Sequence, residues 1–126
     1  MEKLKENGKK VVLVSQAPAD GRDIGKCLAK VLTLGLDEAF CDFSRSAYSG
    51  WVRDHYRLTR EFGKQLPVVM LDDMICATGT CDTLVGDIAL YRDGAHLSRE
   101  GSAWLGRRYD FMARLRNVLS EKASGS

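Results

Sequence analysis

The sequence predicts an α/β domain whose parallel sheet is flanked by helices, and three observations carry that prediction. Two short continuous apolar runs, Val11-Val12-Leu13-Val14 and Val68-Val69-Met70-Leu71, have the pattern of strands buried on both faces. Between and after them lie segments with apolar residues at helical spacing. The alternation of strand and helix implies βαβ units, hence parallel pairing with helices on the faces.

Each element follows in order. Lys3 to Asn7 reads as the tail of a helix closed by Gly8. After the first strand, Gln16-Ala17-Pro18-Ala19-Asp20-Gly21 has the turn chemistry of a loop. Asp23 is placed to cap a helix with apolar positions Ile24, Cys27, Leu28 and Val31, ending near Gly35. A second helix is expected from Ser46 to about Phe62, with Tyr48, Trp51, Val52, His55, Thr59 and Phe62 on one stripe. On that reading Trp51, like Trp104 later, is a core residue rather than a stacking platform. His55 is a satisfied histidine at the core edge. Pro67 precedes the second strand, an irregular stretch runs from Asp72 to Gly86, and Ile88 to Tyr91 suits a short edge strand. Ser98 is the expected N-cap of one long final helix striped by Trp104, Leu105, Arg108, Phe111, Met112, Leu115, Val118 and Leu119. The tail from Ala123 to Ser126 should fray.

The chain has 126 residues, 44% hydrophobic and 29% charged, the balance of a globular domain rather than a disordered one. There is no repeat, low-complexity tract or linker, so residues 1–126 form a single unit. The net charge of +2 is spread along the chain and gives no footprint for nucleic acid. No apolar run approaches the roughly 20 residues of a membrane span. Met1 to Lys10 has no apolar stretch of the kind a signal peptide needs, so any export signal is expected outside this chain. The four cysteines, Cys27, Cys41, Cys76 and Cys81, allow three disulfide pairings. Zinc and free cytosolic thiols are the competing readings, although the spacings differ from paired zinc knuckles. Two buried strands are few for a parallel sheet, and the chain reads as cut from something larger.

The chemistry concentrates in Tyr91-Arg92-Asp93-Gly94-Ala95-His96-Leu97-Ser98. A catalytic histidine that takes a nucleophile's proton needs a carboxylate on its other ring nitrogen to fix its tautomer and stabilise the imidazolium. Asp93 three residues before His96, with small Gly94 and Ala95 between, lets one tight loop supply both groups. The alternative is a surface turn in which Asp93 bonds a backbone amide.

The segment from Asp93 to Ser102 resembles the last conserved block of SGNH hydrolases. It is most similar to the periplasmic SGNH domains fused to membrane acyltransferases of the acyltransferase-3 family, such as O-antigen O-acetyltransferases. Val12-Leu13-Val14-Ser15-Gln16-Ala17-Pro18 matches the family's strand and loop, and Cys76 and Cys81 precede Tyr91, Asp93, His96, Leu97 and Ser98 in the family's order. The resemblance covers nearly the whole chain and is most specific over residues 76–102. It implies a flavodoxin-like, SGNH-hydrolase-like sheet and a catalytic Asp93–His96 pair. It also implies disulfides, which we expect between Cys76 and Cys81 and between Cys27 and Cys41.

The sequence departs from the family's pattern at the nucleophile. The family's Gly-Asp-Ser block is absent: Gly86-Asp87 is followed by Ile88, and Ser15, Ser44, Ser46 and Ser49 lack that setting. The oxyanion-hole Gly and Asn blocks are absent too. The chain is therefore expected to be the C-terminal portion of an SGNH domain, inactive alone.

Three functions remain in competition. The leading one is part of an O-acyltransferase, with acetyl the expected group, acting on hydroxyls of a cell-surface polysaccharide or lipopolysaccharide on the periplasmic side of the bacterial inner membrane. Its partners are an upstream SGNH half, the membrane acyltransferase domain and a glycan acceptor. No cofactor or metal is expected in this chain, although the parent could draw on an acyl-CoA donor. The others are an SGNH esterase or deacetylase fragment and a non-catalytic α/β interaction domain.

Overall fold

The computed structural model describes residues 8–124, so the helix tail expected over residues 3–7 lies outside the described residues. The strands are β1 (Leu13–Val14), β2 (Phe43–Ser44), β3 (Val68–Val69), β4 (Thr80–Cys81), β5 (Leu84–Val85) and β6 (Ile88–Ala89). The helices are α1 (Ile24–Leu34), α2 (Gly50–Phe62), α3 (Asp72–Ile75), α4 (Arg99–Arg108) and α5 (Phe111–Ser124), with a 3-10 turn at Arg45–Ala47.

The fold is mixed α/β. β1 and β3 pair in parallel, with Leu13 opposite Val68 and Val14 opposite Val69. Ser15 N–H extends the ladder by donating to the Val69 carbonyl at 2.9 Å. Two small antiparallel pairs, β2–β4 and β5–β6, stand beside this parallel pair. The strands expected at Val11–Val14 and Val68–Leu71 are therefore present but shorter. Val14 is 39% exposed, contrary to the expected burial on both faces. The physical reason is that each strand of this pair has only one neighbour among the described residues, so one edge stays open.

α1 forms where the sequence placed it. The Asp23 carboxylate accepts from Lys26 N–H, Ile24, Leu28 and Val31 are buried, and Gly35 closes the helix in the left-handed region that other residues avoid. α2 starts later than Ser46, because Arg45–Ala47 is a 3-10 turn and Ser49 is the N-cap. Its buried row is Val52 and Tyr56.

The region from Asp72 to Gly86 is not irregular. It holds α3, β4 and β5, and one buried polar knot organises it. Asp72 accepts from Arg45 Nη1 at 3.0 Å and from the Tyr48 hydroxyl at 2.8 Å. Arg45 also reaches the Cys76 carbonyl. At Oδ2 of this fully buried carboxylate, cation and hydroxyl replace water, while Oδ1 has no hydrogen-bond partner among the described residues. The single long final helix is two helices. Asp110 takes φ 45°, breaks the run after Arg108, and caps α5 by accepting from Ala113 N–H at 3.2 Å.

The core gathers Phe43, Tyr48, Tyr56 and Tyr91 in edge-to-face contacts with Ile24, Leu28, Val52 and Leu90. Two disulfides bound it, Cys27–Cys41 tying α1 to the segment before β2 and Cys76–Cys81 beside α3. With all four cysteines paired, the zinc and free-thiol readings do not describe this structure.

Candidate active site

The loop between β6 and α4 is fixed at both ends before its side chains act. Tyr91 and Leu97 form an antiparallel bridge, with Arg92 N–H donating to the His96 carbonyl at 3.0 Å. Ser98 N–H donates to the Leu90 carbonyl at 2.8 Å. The Ser98 hydroxyl donates to the Ala89 carbonyl and accepts from Gly101 N–H, so it is both strap and helix cap. The Tyr91 hydroxyl is buried and bonds the Pro18 carbonyl, tying this loop to the one after β1.

A third fixing point comes from α1. Gly25 N–H donates to the Asp93 carbonyl at 3.3 Å. Gly94 packs in the same way on residue 22, where a β-carbon would meet the Arg22 carbonyl oxygen at 2.9 Å. The first turn of α1 is thus the floor under the Asp93 turn.

Within the turn, Asp93 Oδ1 accepts from Ala95 N–H at 2.8 Å and from His96 N–H at 2.7 Å. The side chain of His96 then meets the same carboxylate, with Nδ1 2.9 Å from Oδ2 and 3.1 Å from Oδ1. These bonds hold the Asp93 carboxyl down at about 2, with the Ala95 amide the largest cause, then the His96 side chain and the His96 amide. Asp93 is therefore an anion at all ordinary pH. An anion accepts, so neutral His96 carries its hydrogen on Nδ1, and Nε2 presents a lone pair. Nε2 bonds none of the described residues, and the side chain is 64% exposed.

His96 faces an open groove of about 850 Å³. Its walls include Gln16 and Ala17 from the loop after β1, Trp51 from α2, Arg92 and Leu97 from the Asp93 loop, and Arg99 and Ser102 from α4. Sequence reasoning missed Trp51. It is 51% exposed, not a core residue, because α2 buries Val52 and Tyr56 and turns the adjacent row of Trp51 and His55 to the groove edge. Its ring lies 4.6 Å from that of His55, centroid to centroid. His55 Nδ1 meets Gln16 Nε2 at 2.8 Å, so the core-edge histidine has its partner in the strand-and-loop segment.

The turn hands one histidine to an anchored carboxylate and opens its other nitrogen to a groove, the geometry that a general base of a serine hydrolase requires. A family model described as the SGNH domain fused to AT3 domains matches residues 1–111. The chain belongs to this family. No curated protein and no solved structure matches the chain.

Membership of the SGNH family gives an acyltransferase-related setting, since the family description names AT3 domains as the fusion partner. No helix among the described residues is long and apolar enough to cross a membrane. Two of the serines have other partners. Ser98 is committed to Ala89 and Gly101, and the buried Ser15 hydroxyl donates to the Gln16 carbonyl and accepts from Leu71 N–H. Ser102 lines the groove from α4. Gly86-Asp87 is the turn of the β5–β6 hairpin, with Gly86 at φ 61°, rather than part of a nucleophile block.

Proposed function

We propose that this chain is the C-terminal portion of the SGNH domain of a membrane O-acyltransferase that acetylates hydroxyls of a cell-surface polysaccharide or lipopolysaccharide, and that Asp93 and His96 are two members of its Ser-His-Asp triad. The observation that carries the reading is the division of labour at His96: Nδ1 is held by an ionised Asp93, and Nε2 is unpartnered on the groove.

In this reading the serine comes from a Gly-Asp-Ser block upstream in the same parent. His96 Nε2 takes the serine proton as the oxygen attacks the acyl carbonyl, and returns it to the leaving group as the tetrahedral intermediate collapses. The acceptor hydroxyl then enters, gives its proton to the same nitrogen, and attacks the serine ester. The freed serine recovers the proton. Asp93 stays ionised throughout and supports the imidazolium at each stage. The membrane domain delivers the acyl group, with an acyl-CoA as the ultimate donor. Two disulfides suit an oxidising compartment, which supports the periplasmic side of the inner membrane.

The test is made in the parent polypeptide. His96→Ala and Asp93→Asn should each abolish acetate on the isolated surface glycan, read by NMR of the acetyl methyl. Loss of the orienting carboxylate alone costs on the order of 10⁴ in rate in serine hydrolases. Acetylation that survives both substitutions would remove the dyad from the chemistry. Acetate that rises instead would assign the site to the esterase reading.

A further inference from the structure

The groove beside His96 has a composition that the acyl chemistry alone does not require. An acyl group as small as acetyl needs one small pocket, whereas this groove is also lined by the exposed Trp51 and by two arginines, Arg92 and Arg99. Trp51 keeps half its surface open although it stands in a helix that buries its immediate neighbour Val52. Its ring packs against that of His55, 4.6 Å between centroids, and His55 is held in turn by Gln16, so the exposed indole is braced rather than loosely hung. Arg92 and Arg99 line the same groove, and no Asp or Glu is among its lining residues. Arg92 is 3.8 Å from Asp93, which offsets part of its charge, while Arg99 has no ion pair among the described residues. An indole face combines a flat apolar area with a negative quadrupole, which suits the polarised C–H face of a pyranose ring. Guanidinium groups suit carboxylates.

We propose that Trp51 is the acceptor platform of this groove, stacking a sugar ring opposite His96, and that Arg92 and Arg99 select a saccharide carrying carboxylate groups. The proposal rests on the acyltransferase reading for its meaning as an acceptor site, and it names the substrate class of that same site. His55 and Gln16 are positioning residues that fix the platform.

The experiment measures binding of tetragalacturonate, α2,8-linked trisialic acid and neutral maltotetraose to the 126-residue chain, by calorimetry and by tryptophan fluorescence. A carboxylated oligomer should bind, and more tightly than maltotetraose. Its affinity should weaken from low to high salt, as an electrostatic contact does. Trp51→Ala should lower that affinity roughly tenfold or more, as truncating a central aromatic anchor does. Trp51→Phe, which restores an aromatic face, should recover most of it. Joint replacement of Arg92 and Arg99 by Gln should erase the preference over the neutral oligomer. Circular dichroism of each variant confirms that it is folded. Failure of both carboxylated oligomers to bind, or binding indifferent to Trp51→Ala, overturns the platform. A neutral oligomer bound as tightly as the charged ones overturns the carboxylate selection. Hydrolysis of p-nitrophenyl acetate by the parent protein and its His96→Ala variant reports on the acyl chemistry without a saccharide. Failure there strikes the acyltransferase reading, and failure of the saccharide arm alone strikes the platform.

Discussion

Gly25 lies so close to Arg92 that a β-carbon on it would stand 2.3 Å from the Arg92 carbonyl oxygen and 2.9 Å from the Asp93 nitrogen. The obstacle is backbone, not the end of a flexible side chain, so no rotamer change relieves it. The first turn of α1 and the turn holding the dyad are thus locked together through a missing side chain. In an isolated helix, replacing glycine with alanine gains about 0.5–1 kcal/mol.

Here the opposite sign is expected. Gly25→Ala should destabilise the chain by about 1–3 kcal/mol, the usual cost of overpacking, and should move Asp93 away from His96. Urea denaturation gives the first quantity, and the ring chemical shifts of His96 give the second. A Gly25→Ala protein as stable as the parent chain, with unchanged His96 shifts, would refute the contact.

The Asp93 carboxyl should titrate at about 2, below the ordinary carboxylate value of about 3.9. The sign follows from linkage. A carboxyl depressed in the folded state contributes stability that is present above its unfolded value and is lost as pH falls through its folded value. The Asp93 turn should therefore hold from neutral pH down to about 4 and loosen progressively toward about 2. A carbon-detected NMR titration of the Asp93 carboxyl checks this. A midpoint at 4 or higher would mean that the Ala95 and His96 amides do not bond it in solution.

Peptide mapping of the unreduced chain should find Cys27 linked to Cys41 and Cys76 linked to Cys81. The first bridge spans a sequence separation of 14, and a loop of that size contributes about 3 kcal/mol by restricting the unfolded chain. The second spans a separation of only 5 and should contribute less by the same argument. Double replacement by serine at Cys27 and Cys41 should therefore lower stability more than the same change at Cys76 and Cys81. The reverse order would show that the Cys76–Cys81 bridge acts chiefly in the folded state, through Tyr48 and Asp72 beside it.

What the sequence made legible was mostly local. Asp93 and His96 meet because three residues of tight turn leave the carboxylate within reach of both the His96 amide and its ring. The caps at Asp23 and Ser98 are similarly a matter of a few residues. Where distant packing decides, periodicity misled. The stripe through Trp51, Val52 and His55 merged two adjacent rows of α2, and only the neighbours of Val52 and Tyr56 determine which row is buried. The apolar stripe also runs on past Asp110, so it concealed a break made by one residue's backbone and its capping carboxylate. The support of Gly25 for Asp93 joins positions far apart in the chain, and no local pattern announces it.

This polypeptide alone should hydrolyse an activated acetyl ester no faster than background. Triad members act as a unit, so a base without its serine keeps almost none of their joint effect. On the proposed reading the oxyanion donors, often the largest single contribution, come from the upstream portion of the same domain. His96→Ala should leave the near-background rate where it is. One serine gives the prediction a sharp edge. Ser102 lines the groove with His96, and its hydroxyl, unlike those of Ser15 and Ser98, is not committed to a cap or a backbone carbonyl. It sits in the first turn of α4, where its own amide is already bonded to the Ser98 carbonyl and the Gly101 amide to the Ser98 hydroxyl. A rate well above background that falls in both His96→Ala and Ser102→Ala would assign the nucleophile to Ser102 and make this chain a complete site. A rate that falls with His96→Ala alone would point to another serine of the chain. Equal background rates in all three proteins leave the nucleophile to the upstream block.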